Sequence, residues 1–305
     1  MALGDLLLDV VVTPERPIER GTDVPGTLVF RRGGSAANTA AAFAREGGRA
    51  ALITSLGDDE WAGRLATSLR SDGVTVHAAR HAGPSGRLAA LIDERGERSF
   101  VTQRGAADAL DPADLKAGWL RGADVLHVPA YSLFAHPIGE AAVEAAQRAR
   151  DTGALISTDL SSAGPLLAFG ARRSRARLAA LGPDILFANR AEAAALLRET
   201  GRRAWSRLLT HAALVVVKDG VWGCRVLRDE DGAIRQVDVA ASRVGRKVDT
   251  TGAGDAFAAG FLFSLLHSGG RQATDRDPAL RRAAMAGHRT AGAALRRGRP
   301  PIRLG

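Results

Sequence analysis

One short stretch of the chain places glycine, threonine and aspartate directly before an apolar helix pattern: residues 249–257 read DTTGAGDAF. The backbone at Gly252, Ala253 and Gly254 can approach a ligand closely, because two of these three residues have no side chain. The helix that follows would direct free N–H groups and the positive end of its dipole at that ligand. The pattern therefore predicts an anion hole suited to a phosphoryl group.

Asp255 follows the predicted anion hole, in the first turn of the helix. A carboxylate at this place can accept the proton of a hydroxyl group as it attacks phosphorus. The same residues, taken alone, also fit a tight glycine turn followed by an acidic residue at a helix N-terminus. The sequence contains no GxxxxGK(S/T) loop and no strand-linked GxGxxG, so the familiar nucleotide-binding loops are absent.

A second glycine-rich segment, RRGGSAANTAAAFAREGG, lies near the N-terminus. Gly33 and Gly34 permit a close approach of the backbone, and Ser35 and Asn38 follow at the start of a predicted helix. Several hydrogen-bond donors and acceptors around a small concave site suit a polyhydroxylated ligand. The alternative interpretation is a glycine turn with Ser35 as the N-cap of the helix.

The elements that would position these residues alternate along the chain. Short apolar runs predict strands at 50–57, 124–128, 154–158, 184–188 and 213–218, and alanine-rich amphipathic patterns predict helices at 36–48, 59–73, 137–153 and 190–200. Strands separated by helices of this length indicate parallel βαβ units with helices on both faces of the sheet. Two segments of β-type composition, about 10–33 and 84–104, break the alternation. We expect them to form a small sheet at one end of the main one, either as a lid or as an ordinary edge hairpin.

Composition excludes several classes of function. The 305 residues, 46% hydrophobic and 25% charged, fit a globular α/β protein with a sizeable core. No apolar run reaches the roughly 18–20 residues of a membrane span, and the single cysteine excludes an internal disulfide. The N-terminus has no signal-peptide pattern, so we expect a cytoplasmic protein. The net charge of +9 is mostly arginine spread along the chain, with few aromatic residues, which favours a small anionic ligand over nucleic acid.

Two segments resemble the signatures of a known family. GGSAANTAAAFAREGGRAALITSLGDDEWAG and DTTGAGDAFAAGF are similar to the N-terminal and C-terminal signatures of the ribokinase-like (PfkB) carbohydrate kinases. The resemblance covers the chain essentially from end to end. It implies a single α/β domain over residues 1–305, with three αβα layers, a mostly parallel central sheet and a small β-sheet lid.

The resemblance implies an ATP-dependent kinase that phosphorylates a primary hydroxyl of a small sugar or sugar acid, as ribokinases, fructokinases and 2-keto-3-deoxygluconate kinases do. A nucleoside kinase of the same family is the alternative, since GGSAAN does not distinguish the two. A non-catalytic ligand-binding relative is a third possibility, although such a protein would be expected to lack the catalytic base. Apolar residues at 24–30 and 88–92 also suggest a homodimer through the lid sheets.

The resemblance also implies roles for individual residues. Asp255 would be the catalytic base, and the backbone of residues 252–254 would stabilise charge on the transferred phosphoryl group. The acceptor would be bound by six residues: Asp9, Gly33, Gly34, Ser35, Asn38 and Arg98. Asp9 would end the first strand, GDLLLDV, while Arg98 either points inward from the lid hairpin or lies on its turn. The nucleotide would be bound by six residues: Asn189, Lys218, Gly220, Gly223, Gly252 and Gly254.

Metal ions follow from the same resemblance. Asn189 and Glu192 match the family's Asn-x-x-Glu pattern, which orders Mg²⁺ and phosphate largely through water. Sequence context alone would make Glu192 a solvated helix residue. Asp249 and Thr251 match positions that help to bind a monovalent cation, but the C-terminal RGRPP differs from the more usual Gly-Ala-x-Pro, so K⁺ stays open. The first strand is several apolar residues shorter than is usual in the family, which suggests that the natural start lies upstream.

Overall fold

The computed structural model describes residues 1–95, 97–241, 250–298 and 301–302, apart from the side chains of Arg98 and Arg202. The strands are β1 (Ala2–Leu3), β2 (Leu7–Pro14), β3 (Gly26–Gly33), β4 (Ala50–Leu56), β5 (Val74–Arg80), β6 (Arg87–Ile92), β7 (Arg98–Gln103), β8 (Val125–Pro129), β9 (Leu155–Asp159), β10 (Ile185–Asn189), β11 (Leu214–Lys218), β12 (Cys224–Glu230) and β13 (Ala233–Val239). The α-helices are α1 (Ser35–Arg45), α2 (Glu60–Ser71), α3 (Ala130–Leu133), α4 (Ile138–Asp151), α5 (Ala163–Phe169), α6 (Ala171–Leu181), α7 (Arg190–Leu197), α8 (Arg202–Arg207), α9 (Ala253–His267) and α10 (Asp277–Arg297).

Nine strands form the main sheet, in the order β13-β12-β11-β10-β9-β8-β1-β4-β5. The strands from β11 to β5 are parallel, and β12 and β13 add an antiparallel hairpin at one edge. All five strands predicted for this sheet are present. The sequence patterns missed β5 and the β12–β13 hairpin, because both lie at sheet edges and alternate apolar with exposed polar residues.

The main sheet is buried on both faces. In β10, Leu186 and Ala188 pack in the cluster that includes α4, α6 and α7, whereas Ile185 and Phe187 pack against α9 and α10. Apolar side chains on both faces of a strand are what a parallel sheet between two helical layers requires. The predicted three-layer αβα architecture is therefore confirmed. No helix in the described ranges combines the length and the hydrophobicity that crossing a membrane would take.

A separate four-stranded sheet has the order β3-β2-β6-β7. Its strands come from the two segments that break the βαβ alternation, with β2 starting earlier than predicted. The predicted first strand, GDLLLDV ending at Asp9, differs from the structure: Ala2 and Leu3 pair in the main sheet, and β2 begins at Leu7 and continues past Asp9 to Pro14. The change of sheet occurs after Gly4, where an added Cβ would lie 2.5 Å from the Ser132 hydroxyl oxygen. Asp9 consequently belongs to the small sheet, which we call the lid sheet.

Candidate active site

Three polar residues end three adjacent strands of the main sheet: Asp159 on β9, Asn189 on β10 and Lys218 on β11. Asn189 and Lys218 are direct partners in the strand register. Because these strands are parallel, their carboxyl ends meet at one edge of the sheet, where α/β proteins commonly bind ligands. The start of α9 faces this edge, since a Cβ added at Gly254 would lie 3.1 Å from the Lys218 Nζ atom.

The predicted anion hole lies at the N-terminus of α9. Gly252 is the N-cap residue with φ 79°, a left-handed conformation that favours glycine. The first helical residue is Ala253, whose N–H donates to the Thr250 carbonyl oxygen at 3.2 Å. Asp255 is the acidic residue of the first turn. The glycines thus bring the start of a 15-residue helix, with its positive dipole end, to the polar edge of the sheet.

Asp255 is held by two side chains from the first turn of α1. The Ser35 hydroxyl donates to Oδ1 of Asp255 at 2.5 Å, and the Asn38 side-chain amide donates to Oδ2 at 3.0 Å. Gly34, with φ 100°, is the N-cap residue of α1 and offers no side chain for capping. Ser35 and Asn38, predicted to bind the acceptor, therefore contact the candidate base directly and fix the orientation of its carboxylate.

The Asp9 carboxylate lies beside Gly33, on the neighbouring strand of the lid sheet. A Cβ added at Gly33 would lie 2.1 Å from Oδ1 of Asp9, and one added at Gly34 would lie 2.3 Å from the Asp5 carbonyl oxygen. The two glycines thus make room for the chain's own Asp9 and Asp5, where the sequence pattern suggested room for a ligand. Gly33 and Ser35 are two residues apart, so their Cα atoms lie within about 7 Å. Asp9 and Asp255 therefore contact residues that are two positions apart in one short segment, 33–35.

Arg98 begins β7 opposite Ile92, whereas Asp9 is level with Leu88. Four residues along a strand correspond to about 13 Å. The backbone of Arg98 is therefore not beside Asp9, and its side chain lies outside the described part of the chain.

The charges at this site alter the pKa of Asp255. Burial raises its pKa from 3.8 to about 6, although the hydrogen bonds from Ser35 and Asn38 act in the opposite direction. The negative charge of Asp159 raises this pKa further and the positive charge of Lys218 lowers it. A carboxylate with a pKa near 6 is ionised at neutral pH and is a stronger base than an ordinary aspartate.

Asn189 and Glu192 form a capping box at the start of α7. The backbone N–H and the side-chain amide of Asn189 donate to the two carboxylate oxygens of Glu192, at 2.8 and 2.7 Å. Glu192 is 2% exposed, so it is not the solvated residue that its sequence context alone suggests. Burial raises its pKa to about 7, while the Lys218 ammonium opposes that rise.

The fit of Mg²⁺ follows from these contacts. Both Glu192 oxygens already accept hydrogen bonds, and the described ranges contain no cluster of three or more His, Cys, Asp or Glu residues that could hold a metal ion. Mg²⁺ usually keeps several waters and binds through one or two carboxylates together with substrate phosphates. Glu192, ordered by Asn189, fits a hydrated ion of that kind through water, brought in with the nucleotide.

Residues Gly220 and Gly223 flank the 3₁₀ turn after β11 and have φ values of 56° and 103°. A Cβ at Gly223 would lie 2.1 Å from the Val239 carbonyl oxygen, so this glycine is required where the turn packs on the end of β13. The packing of this turn therefore explains the glycine at position 223 without a bound nucleotide.

Three parts of the site were not predicted from the sequence. Asp159 directly follows the predicted strand ALIST, and a carboxylate at the carboxyl end of a parallel strand was a usable signal. Tyr131, in α3, has a raised pKa because it is partly buried near acidic groups that include Asp255. The buried Asp5 forms an ion pair with Arg104 at 3.1 Å across 99 residues, a contact that no local pattern could indicate.

Thr251 lines a cavity of about 60 Å³, whereas Asp249 lies outside the described residues. Gly252 lines the same cavity together with Arg32, Arg45 and Arg297. Arg32 and Arg45 share one carboxylate, that of Asp72, each at 2.7 Å. Like charges repel, so a monovalent cation fits this arginine-lined space poorly.

We therefore expect that K⁺ does not activate this protein. Turnover should be unchanged when sodium chloride or tetramethylammonium chloride replaces potassium chloride at constant ionic strength, because the arginine-lined space beside Gly252 disfavours a monovalent cation. An increase in kcat with potassium alone would contradict this prediction.

Residues 1–299 match the pfkB family of carbohydrate kinases. The chain belongs to that family. This carbohydrate kinase is 35% identical over 263 residues to an ATP-dependent ribose-1-phosphate kinase from Halopiger xanaduensis, covering 85% of this chain and 80% of the relative. It is 32% identical over 281 residues to probable fructokinase-2 of Arabidopsis thaliana, covering 87% and 81%.

A solved structure supports the same assignment. The structure of adenosine kinase from Sinorhizobium meliloti superposes with a TM-score of 0.82 at 29% identity, covering 96% of this carbohydrate kinase and 92% of the other chain. The ribokinase-like fold with its separate four-stranded sheet is thus shown. The names of the three proteins agree on phosphoryl transfer and differ in the acceptor.

Proposed function

We propose that this carbohydrate kinase transfers the γ-phosphoryl group of ATP to a primary hydroxyl of a small sugar or sugar acid. The main support for the proposal is the position of the Asp255 carboxylate. It lies in the first turn of α9, after the N-cap Gly252, and accepts hydrogen bonds from Ser35 and Asn38. A base with a raised pKa beside a helix N-terminus is the arrangement that phosphoryl transfer to an alcohol needs. The fructokinase and ribose-1-phosphate kinase relatives support this class of acceptor.

In the proposed reaction, Asp9 binds hydroxyl groups of the acceptor from the lid sheet. Asp255 accepts the proton of the primary hydroxyl while the hydroxyl oxygen bonds to the γ-phosphorus. The bond from that phosphorus to the β,γ-bridging oxygen breaks, which releases ADP. The N-terminus of α9 and the Lys218 ammonium stabilise the negative charge on the transferred group. Mg²⁺, when bound with the nucleotide, would neutralise phosphate charge. Closure of the lid sheet over the acceptor would exclude water as a competing acceptor.

A nucleoside acceptor is the second candidate, and the similarity to the adenosine kinase structure favours it. The two candidates are separated by measuring ADP release with fructose, ribose, ribose-1-phosphate, 2-keto-3-deoxygluconate and adenosine. We expect acceptor-dependent ADP release with a sugar, sugar acid or sugar phosphate. Turnover of adenosine alone would replace the proposal with a nucleoside kinase, and ADP release with none of them would contradict it.

We also propose that the protein forms a homodimer through the lid sheets. Leu28 and Val101 are 61% and 66% exposed, and the strand register places both on the same face of the sheet. Two such faces would cover each other's apolar surface. Light scattering after size-exclusion chromatography should give twice the 31.9 kDa of one chain.

Substitution of both Leu28 and Val101 by glutamate should return the mass to that of one chain. Leu167→Glu, at an exposed apolar residue of α5, is the control and should leave the dimer intact. A wild-type protein with the mass of a single chain would contradict the proposal.

A further inference from the structure

An ion pair crosses the carboxyl edge of the main sheet. The Lys218 ammonium, at the end of β11, donates to Oδ2 of Asp159, at the end of β9. The strand between them is β10, so the pair passes over the end of that strand. The Asp159 side chain is 3% exposed and that of Lys218 is 16% exposed. Both charges are therefore largely removed from water.

Asp159 is itself fixed by the loop that follows β9. Its other carboxylate oxygen, Oδ1, accepts the Ser161 backbone N–H at 3.0 Å, and the Ser161 hydroxyl donates to the Asp159 carbonyl oxygen at 2.9 Å. Ser161 has φ 60°, a conformation that non-glycine residues seldom adopt. The loop thus holds the carboxylate in one orientation from which it reaches Lys218.

The pair sets the position of the ammonium relative to the anion hole. A Cβ at Gly254 would lie 3.1 Å from Nζ of Lys218, so the ammonium lies against the backbone of the predicted phosphoryl site. A lysine side chain has a flexible four-carbon stem, and ordering it is entropically unfavourable. A donor that is already ordered when the reaction begins needs no such reorganisation.

We propose that Asp159 is a positioning residue for phosphoryl transfer: it holds the Lys218 ammonium against Gly254, where that ammonium meets the transferred phosphoryl group. The inference rests on the proposed kinase function. Asp159 does not contact the reacting atoms and acts through Lys218. The competing explanation is an ion pair that only stabilises the carboxyl edge of the sheet.

A double-mutant cycle distinguishes a positioning role of Asp159 from a purely structural ion pair. Lys218→Met should lower kcat by about 10²- to 10³-fold, the range found for loss of one preorganised donor to a transition state. Asp159→Asn should lower kcat by at least about tenfold with little change in the KM of the acceptor, and the double variant should be no slower than Lys218→Met alone. Multiplicative losses in the double variant would show that Asp159 acts independently of Lys218 and would overturn the proposal.

Asp184→Asn is the matched control. Asp184 directly precedes β10, at the opposite end of the sheet from Asp159, and also forms an ion pair, with Arg271 at 2.6 Å. The Asp184→Asn substitution should lower the melting temperature and leave kcat unchanged. If Asp159→Asn behaves in the same way, the pair is only structural. If Asp159→Asn does not fold, Asp159→Glu keeps the charge with one added methylene and should still lower kcat.

A pH profile gives a second readout. Asp255 faces Ser35 and Asn38 from α1, Asp159 from β9 and Lys218 from β11, and it also interacts with Glu192 and Tyr131. Removal of the Asp159 charge should move the acid limb of kcat/KM to lower pH, and removal of the Lys218 charge should move it to higher pH. Shifts in the same direction, or none, would contradict the assigned geometry.

Calorimetric titration separates failure of this inference from failure of the proposed function. If the wild-type protein phosphorylates none of the acceptors, the proposed function fails. The inference still predicts that Asp159→Asn weakens ATP binding more than ADP binding, because only ATP has the γ-phosphoryl group that Lys218 meets. Equal effects on both nucleotides would overturn it.

Discussion

Asp255→Asn is expected to abolish turnover and to leave the fold and ATP binding nearly intact. The asparagine has the size of the aspartate and can keep both contacts: its carbonyl oxygen accepts from the Asn38 amide, and its amide donates to the Ser35 hydroxyl oxygen. The group that accepts the acceptor's proton is lost, and loss of a general base typically lowers the rate by about 10²- to 10⁴-fold. The measurements are kcat, the dissociation constant of ATP and the far-ultraviolet circular dichroism spectrum.

The pH dependence of the wild-type protein should follow the same residue. Its kcat/KM should fall as the pH drops below about 6, because Asp255 becomes protonated and can no longer accept a proton. The residual rate of Asp255→Asn should lack this limb. Retention of more than about a tenth of wild-type turnover would contradict the assignment of Asp255 as the base.

As the pH rises, the contribution of Asp255 to the free energy of unfolding should decrease while its contribution to activity increases. The pKa of Asp255 is higher in the folded protein than its ordinary value of 3.8, so its stabilising contribution is complete below pH 3.8 and is lost as the pH rises through about 6. At pH 8 the ionised carboxylate therefore destabilises the fold. Asp255→Asn removes that charge and should melt at a higher temperature than the wild-type protein at pH 8, as expected when a residue is retained for function.

The sequence predicted those features of the site that are local in the chain. The glycines at 252 and 254 and Asp255 lie within four consecutive residues at the start of α9, so their relation follows from helix geometry alone. The contacts of Ser35 and Asn38 with Asp255 join residues more than 200 positions apart. Such contacts depend on how α1 packs on α9, which no single segment encodes.

The division of the predicted strand GDLLLDV between two sheets has a different physical cause. The run LLLDVVV is apolar on both sides of the aspartate, and hydrophobic periodicity alone does not tell which sheet an apolar strand joins. The chain leaves the main sheet after Leu3 because Gly4 and the buried Asp5 pack beside α1, with Asp5 accepting the Ala36 backbone N–H at 3.2 Å. Asp9 therefore pairs with Arg31 and Leu88 in the four-stranded sheet and is not part of the main sheet.

Asp9→Ala should weaken use of the acceptor strongly and leave the KM of ATP almost unchanged. Asp9 is 4% exposed and its carboxylate lies against Gly33, two residues before Ser35, which donates to Asp255. A hydrogen bond that involves a charged group contributes roughly 1.5–3 kcal/mol, which corresponds to about one to two decades in kcat/KM for the acceptor. Steady-state kinetics with each substrate varied in turn measures the two effects separately.

Two further variants test whether this loss comes from the Asp9 carboxylate. Gly33→Ala should reproduce it, because the added Cβ would lie 2.1 Å from Oδ1 of Asp9 and must displace that carboxylate while the charge is kept. Asp23→Ala removes an exposed carboxylate from the connection between β2 and β3 and should change neither KM. Equal losses for acceptor and ATP in Asp9→Ala would mean that the substitution damages the lid sheet as a whole. A selective loss in Asp9→Ala and Gly33→Ala, absent from Asp23→Ala, would place the acceptor hydroxyls at Asp9, because only that carboxylate is altered in both affected variants.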